Sequence, residues 1–145
     1  MDFQTPIPVC EYMVSLIPPG LKTILEPTPG EGKLVSALKG YAVTAPNNFW
    51  DALGRYDAIV MNPPFTPMKV GYKILYECME MSDVIIALMP WLTIINSQRR
   101  TQIIMNYGLK SITHLPRSTF KGSRVQTCIF EMRKDWAGTC KFKVF

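Results

Sequence analysis

The sequence predicts an α/β domain built on a mostly parallel sheet, and three observations carry that expectation. Short continuous apolar runs alternate with stretches of helical periodicity. Two unusual loops, residues 26–32 and 62–65, each follow such a run, the place where open parallel sheets carry their ligand sites. Toward the end of the chain, strand-like segments follow one another without an intervening helix, which predicts an antiparallel end.

Val9, Tyr12, Met13, Leu16 and Ile17 recur at helical spacing, with Pro6 and Pro8 near the start and Pro18-Pro19-Gly20 as the stop. A short strand follows at 23–25, then the loop 26–32, then a helix through Leu34, Val35, Ala37 and Leu38 that Gly40 ends. Residues 41–44 read as a second strand and 45–54 as a loop or short helix. The run 56–61 is a buried strand. It must stop at Pro63-Pro64, because proline gives a ladder no N–H. The spacing predicts a helix over 69–81, with Val70, Ile74, Leu75, Cys78 and Met79 inward, and a strand over 83–89. Ser97 caps a helix over 98–107 that Gly108 terminates. Strands follow at 112–115, 125–132 and 139–144. Asp135-Trp136-Ala137-Gly138 supplies a turn that predicts a C-terminal antiparallel hairpin between the last two.

The chain has 145 residues, 48% hydrophobic and 19% charged, which fits one compact domain over 1–145. It has no membrane-length apolar run and no secretory leader pattern, so a cytoplasmic protein without membrane contact is expected. Cys10, Cys78, Cys128 and Cys140 are scattered among apolar neighbours, which predicts buried free thiols rather than a zinc site. The net charge of +5 is unevenly spread. Residues 1–98 carry six Lys/Arg against nine Asp/Glu, a balance of −3, and residues 99–145 carry ten against two, a balance of +8. A basic stretch of this kind suits a polyanion such as nucleic acid, and equally a solvated face.

The two loops carry the chemistry. In Glu26-Pro27-Thr28-Pro29-Gly30-Glu31-Gly32 the glycines let a ligand approach the backbone, the helix start favours an anionic group, and Glu26 can pair with an ammonium. A zwitterionic amino-acid moiety suits that mixture. In Asn62-Pro63-Pro64-Phe65 the rigid turn can aim a backbone carbonyl and the Asn62 oxygen at one point. Two converging acceptors hold the hydrogens of an amino group and turn its lone pair toward an electrophile. Phe65 offers a flat surface for a planar base. A surface Asn-Pro turn beside a buried aromatic is the structural alternative.

Phe3-Gln4-Thr5-Pro6, then Glu26-Pro27 with Gly30 and Gly32, then Asn62-Pro63-Pro64-Phe65, resemble in order and spacing the S-adenosylmethionine-dependent N6-adenine DNA methyltransferases. The likeness is to type I modification subunits and related restriction–modification enzymes. It continues through Leu115-Pro116-Arg117-Ser118-Thr119-Phe120-Lys121-Gly122 and Val125-Gln126-Thr127-Cys128-Ile129.

The resemblance implies a class I methyltransferase-like, Rossmann-like sheet, with S-adenosyl-L-methionine as cofactor and DNA as partner. Thr5 would meet the methionine carboxylate, and Glu26 would bind near the amino group. Pro27, Thr28, Gly30 and Gly32 would shape the pocket, and Asn48 and Phe49 stand where the family meets the cofactor adenine. Asn62 and Pro63 would accept hydrogen bonds from the target amine, with Pro64 completing the turn. Phe65 would stack on the flipped base, and Phe120 would touch it from elsewhere in the pocket.

Two departures from the family bear on architecture. Only 29 residues separate Gly32 from Asn62, too few for the usual two strands and helix, so the sheet is expected to be abbreviated in the middle and to lack the acid that holds the cofactor ribose. No counterpart of the target-recognition region is expected, so specificity would come from a homodimer, from a separate specificity subunit, or not at all. Three other functions use the same features: methylation of RNA adenine, methylation of a protein glutamine, and a non-catalytic methyltransferase-like subunit that binds nucleic acid.

Overall fold

The computed structural model describes residues 4–145, so Phe3 lies outside the described residues. The elements run α1 (Ile7–Ser15), β1 (Thr23–Leu25), α2 (Lys33–Ala37), β2 (Ala42–Thr44), β3 (Ala58–Met61), α3 (Met68–Met81), β4 (Val84–Pro90), α4 (Leu92–Ile95), α5 (Gln98–Tyr107), β5 (Leu109–His114), β6 (Thr127–Arg133) and β7 (Lys141–Val144). Single 3-10 turns occupy Phe49–Asp51 and Arg117–Thr119. The strands form one sheet in the order β2-β1-β3-β4-β6-β5-β7.

Side-chain alternation along the central strands builds three layers. Ile59 and Met61 of β3, with Ile85, Ala87 and Met89 of β4, join Ile74, Leu75 and Cys78 of α3 and Ile104 and Tyr107 of α5. The intervening Ala58, Val60, Ile86 and Leu88 face Val9, Cys10, Met13 and Ile17 from α1 and its last turn, and Leu34 and Leu38 around α2. Every residue of β3 and β4 is buried, as expected of strands covered on both faces. Ile74, Leu75 and Cys78 of α3 are buried as expected and Met79 packs on the same cluster; Val70 alone of the expected face is 36% exposed, with Gly71 buried beside it.

The abbreviation is visible at one edge. β1 pairs in parallel with β2 on one side and β3 on the other, and β2 is the last strand of the sheet at that edge. Between β2 and β3 the chain adds only the turn Phe49–Asp51, so the sheet stops there.

The C-terminal hairpin is corrected. β6 pairs antiparallel with both β4 and β5, which leaves it no free edge for β7. β7 passes over to the far side of β5 and pairs with it in parallel, from Ser111–Lys141 to His114–Val144. A turn does form just after β6: Trp136 N–H donates to the Arg133 carbonyl, and Lys134 and Asp135 N–H tie it to the carbonyls of Asp83 and Tyr107. It feeds a crossover instead of a hairpin. Glu131 on β6 ties this end together by accepting from Ser111 Oγ at 2.6 Å and facing Lys143 Nζ at 3.7 Å. Cys10, Cys78 and Cys128 are buried free thiols, but Cys140, just ahead of this edge strand, is exposed. Among the described residues no helix is long and apolar enough to cross a membrane.

Candidate active site

β1, β3 and β4 run parallel, so the loops that leave β1 and β3 emerge at the same end of the sheet. A cavity of about 530 Å³ opens there, within the range of small-molecule sites. Both loops line it. From the first come Glu26, Pro27, Thr28 and Gly30, and from the second Asn62, Pro63, Pro64 and Phe65; Thr5, Asn48 and Phe49 join them, whereas Gly32 and Phe120 of the expected set do not.

Glu26 follows the last residue of β1, and its N–H still bonds to Thr44 of β2 at 2.9 Å. The carboxylate is 1% exposed and accepts from the Thr28 N–H at 2.8 Å. Burial raises its pKa to about 7, against the lowering pull of the two Thr28 hydrogen bonds. No cation in the structure forms an ion pair with it within 4.0 Å among the described residues. A cationic ligand would supply the missing partner. Gly30 and Gly32 both have positive φ, +53° and +84°, a backbone that glycine adopts without strain. Gly32 shapes the turn as the N-cap of α2 and is not itself on the cavity wall. α2 has only five residues, so the loop backbone, more than a helix dipole, forms this wall.

Asn62 ends β3 at the mouth of the cavity. Its Nδ2 donates to Thr5 Oγ1 at 2.7 Å, which leaves the side-chain oxygen as the acceptor free of that bond. Thr5 is 4% exposed, and its carbonyl receives the Cys10 Sγ–H. The Pro-Pro turn rests on α3. A Cβ built on Gly71 would stand 2.8 Å from Met68 Cε, 3.0 Å from the Pro64 carbonyl oxygen and 3.6 Å from Pro63 Cβ. A helix-interior glycine costs roughly 0.5–1 kcal/mol relative to alanine, and here it allows the loop to seat.

On the opposite wall the Asn48 side chain is used as a cap, accepting from Trp50 N–H at 3.1 Å. Phe49 is buried and meets Trp50 edge-on, with ring centroids 4.9 Å apart. Phe120 does not line the cavity. It is 5% exposed and belongs to the apolar cluster against which Phe65 packs. Sequence reasoning missed several lining residues: Gln4, Lys33, Asn47 and the half-exposed Trp50. Such residues, at loop positions or at the ends of very short helical turns, carry no periodic signal. The one available clue was position, since Lys33 follows Gly32 and Asn47 follows the end of β2. Among the described residues Glu26 is the only carboxylate on the cavity wall, and the abbreviated edge places no second acid there.

The sheet end that carries the cavity also carries the late loop. β5 and β4 both run antiparallel to β6, so they are parallel to each other, and residues 115–126 leave β5 on the cavity side. Arg117, Lys121 and Arg124 in this loop are exposed.

No family model and no curated protein matches the sequence. Solved structures do match in fold. The modification subunit of a putative type I restriction enzyme from Vibrio vulnificus superposes with a TM-score of 0.75 at 18% identity, over 96% of this chain and 45% of that one. The type I restriction–modification methyltransferase subunit from Streptococcus thermophilus gives 0.79 at 15% identity, over 99% and 47%. A putative class I S-adenosylmethionine-dependent methyltransferase from Listeria monocytogenes gives 0.69 at 15% identity, over 97% and 64%. The chain thus spans about half the length of the type I subunits it matches. Its α/β sheet, with parallel strands at the cavity and an antiparallel strand inserted near the other edge, is the fold of class I S-adenosylmethionine-dependent methyltransferases and of type I modification subunits.

Proposed function

We propose that this chain is an S-adenosyl-L-methionine-dependent methyltransferase that acts on the exocyclic N6 amino group of adenine in DNA. The observation that carries the reading is a single cavity bounded by a buried, raised-pKa carboxylate and by the Asn62-Pro63-Pro64-Phe65 turn, with the Asn62 nitrogen already bonded and its oxygen available. The residues fit the cofactor. Glu26 suits the ammonium of its amino-acid end, Thr5 and Lys33 suit the carboxylate, and Phe49 and Trp50 suit the adenine ring. The cofactor supplies an electrophilic methyl group. Asn62 Oδ1 and the Pro63 carbonyl hold the two hydrogens of the target amine, and Phe65 stacks on the base. Orientation and exclusion of water supply most of the catalysis.

Arg117, Lys121 and Arg124 face a polyanion at the same end of the sheet. Phe120, fixed between them in the core, anchors that loop and would reach the base only if the loop opened. A partner chain, either a second copy or a separate specificity subunit, supplies sequence recognition, and the protein works in the cytoplasm. A non-catalytic subunit is the second reading, favoured because the described residues place no second carboxylate on the cavity wall.

Calorimetry with S-adenosylmethionine separates the two readings: no heat at millimolar cofactor sinks the enzyme. Labelled methyl transfer to DNA, RNA and protein pools then selects the substrate, and label in RNA or glutamine alone overturns the DNA assignment. Three phosphate contacts imply a salt slope of about −2.7, so DNA affinity should fall about 40-fold between about 50 and about 200 mM salt. A flat salt titration removes the basic loop from the interface.

Gly71→Ala should lower transfer about tenfold to 100-fold by pushing the Pro64 carbonyl, while changing stability by no more than about 1 kcal/mol. Unfolding curves and single-turnover rates on the same sample check this. A large stability loss with normal single-turnover rates would mean that Gly71 serves the core and not the loop.

A further inference from the structure

The Thr5 hydroxyl does two things at once. Its oxygen accepts the Asn62 Nδ2–H at 2.7 Å, across 57 residues of sequence, and it lies on the cavity wall. A hydroxyl has one hydrogen to give and two lone pairs to accept with. With the Asn62 bond on a lone pair, the Thr5 hydrogen is left to donate elsewhere. The geometry points to Thr5 as a positioning residue that fixes the Asn62 amide with its oxygen toward the target amine, and that tightens this hold when an anionic group in the cavity takes the Thr5 hydrogen. The inference rests on the methyltransferase reading for its last step, since the anionic group is then the cofactor carboxylate.

The physical argument has three parts. A carboxamide has two orientations of similar shape, and only one presents an acceptor to an amine. A partner that can accept but cannot be confused with a second donor selects between them. Thr5 is such a partner only while its own hydrogen is directed away. An ionised acceptor holds that hydrogen firmly, and donation to it makes the Thr5 oxygen a better acceptor in turn. The hydroxyl is rigidly held, being 4% exposed, β-branched, followed by Pro6 and with its carbonyl bonded to Cys10 Sγ. Occupation of the cofactor end of the cavity is thereby linked to readiness of the amine end.

The test compares the parent with Thr5→Val, which keeps the shape and removes the oxygen, and Thr5→Ser, which restores it. The Nδ2 proton pair of Asn62, identified by its loss in Asn62→Ala, is followed by NMR in the unliganded protein and during titration with S-adenosylhomocysteine. In the parent and Thr5→Ser the pair should be shifted from that of a free carboxamide and move on titration; in Thr5→Val it should collapse to the free position. Transfer at saturating cofactor should fall about 30-fold or more in Thr5→Val and return to within about fivefold in Thr5→Ser, while cofactor affinity changes less than about tenfold. An Asn62 pair that is unchanged in Thr5→Val overturns the proposal. So does a Thr5→Val enzyme whose rate is fully restored by saturating cofactor, which would make Thr5 a carboxylate ligand alone. If the parent binds no S-adenosylhomocysteine, the methyltransferase reading and the linkage both fall. The unliganded spectra still decide whether Thr5 holds Asn62, and the remaining resonances report that each variant is folded.

Discussion

Replacing Asn62 with alanine is expected to leave cofactor affinity within about threefold of the parent and to lower methyl transfer by about a thousandfold or more. Asn62 stands at the end of β3, past the cofactor loop, and its nitrogen is bonded to Thr5. What the substitution removes is therefore an acceptor facing the target and one orienting bond, not a wall of the cofactor end. The nitrogen of an aromatic amine is a poor nucleophile because its lone pair is shared with the ring. Two acceptors on its hydrogens favour the pyramidal form, in which the lone pair points out of the plane. That preference is worth nothing before the reaction and much in the transition state, so the loss falls on kcat. Isothermal calorimetry and single-turnover labelling on one preparation give both quantities. Transfer that survives in the variant refutes the role given to Asn62.

Replacing Glu26 with glutamine should act on stability and binding in opposite directions. The folded protein holds the Glu26 proton up to about pH 7, whereas an unfolded carboxyl releases it near 4.5. Between those values the folded form binds the extra proton, so stability falls as pH rises through the window and stays level above it. The raised pKa corresponds to roughly 3 kcal/mol of destabilisation above pH 7. Glutamine does not titrate, keeps the oxygen that receives the Thr28 N–H, and should be the more stable protein above pH 7 by about 2–3 kcal/mol, with no advantage near pH 4. Cofactor affinity should fall at least about 100-fold, because the buried partner of the ammonium is gone. In the parent, affinity should rise as pH is taken from 6 to 8, since only the ionised carboxylate pairs with the ligand. Urea titrations and calorimetry at three pH values measure both. A glutamine variant that is less stable at pH 8 would show that the buried carboxylate is compensated within the fold.

The two loops that line the cavity were legible in the sequence, and so was the α/β sheet apart from its C-terminal edge. Asn62-Pro63-Pro64-Phe65 and Glu26 through Gly32 announce themselves because their residue types have few other reasons to stand together. Both loops line the same cavity. Lys33 and Trp50 share that wall but are ordinary exposed residues in a linear reading. Gly71 illustrates a different gap: a glycine inside a helix signals close approach, but its partner, the Pro64 carbonyl, is known only from the fold. The partner of β7 was illegible for the same reason. The turn after β6 is local chemistry, whereas the occupation of both β6 edges by β4 and β5 depends on strands far away in the chain. α4 is four residues long, too short to register a period. Phe120 had the right chemistry for a base contact, and only packing assigns it to the core.

The pairing of β4 with β6 is the one place where the two parts of the sheet meet, from Val84–Arg133 to Pro90–Thr127. Among the described residues, those lining the cavity lie between Gln4 and Ile74, ahead of β4, whereas the exposed basic loop and β5 to β7 follow β4. The protein is thus divisible along a seam. Cut in the connection around residue 97, it would give two polypeptides of opposite net charge, one holding the described cavity wall and the other the exposed basic loop. The seam is wider than the β4–β6 ladder, because Ile104 and Tyr107 pack against β3 and α3, and Leu115 and Phe120 against α1.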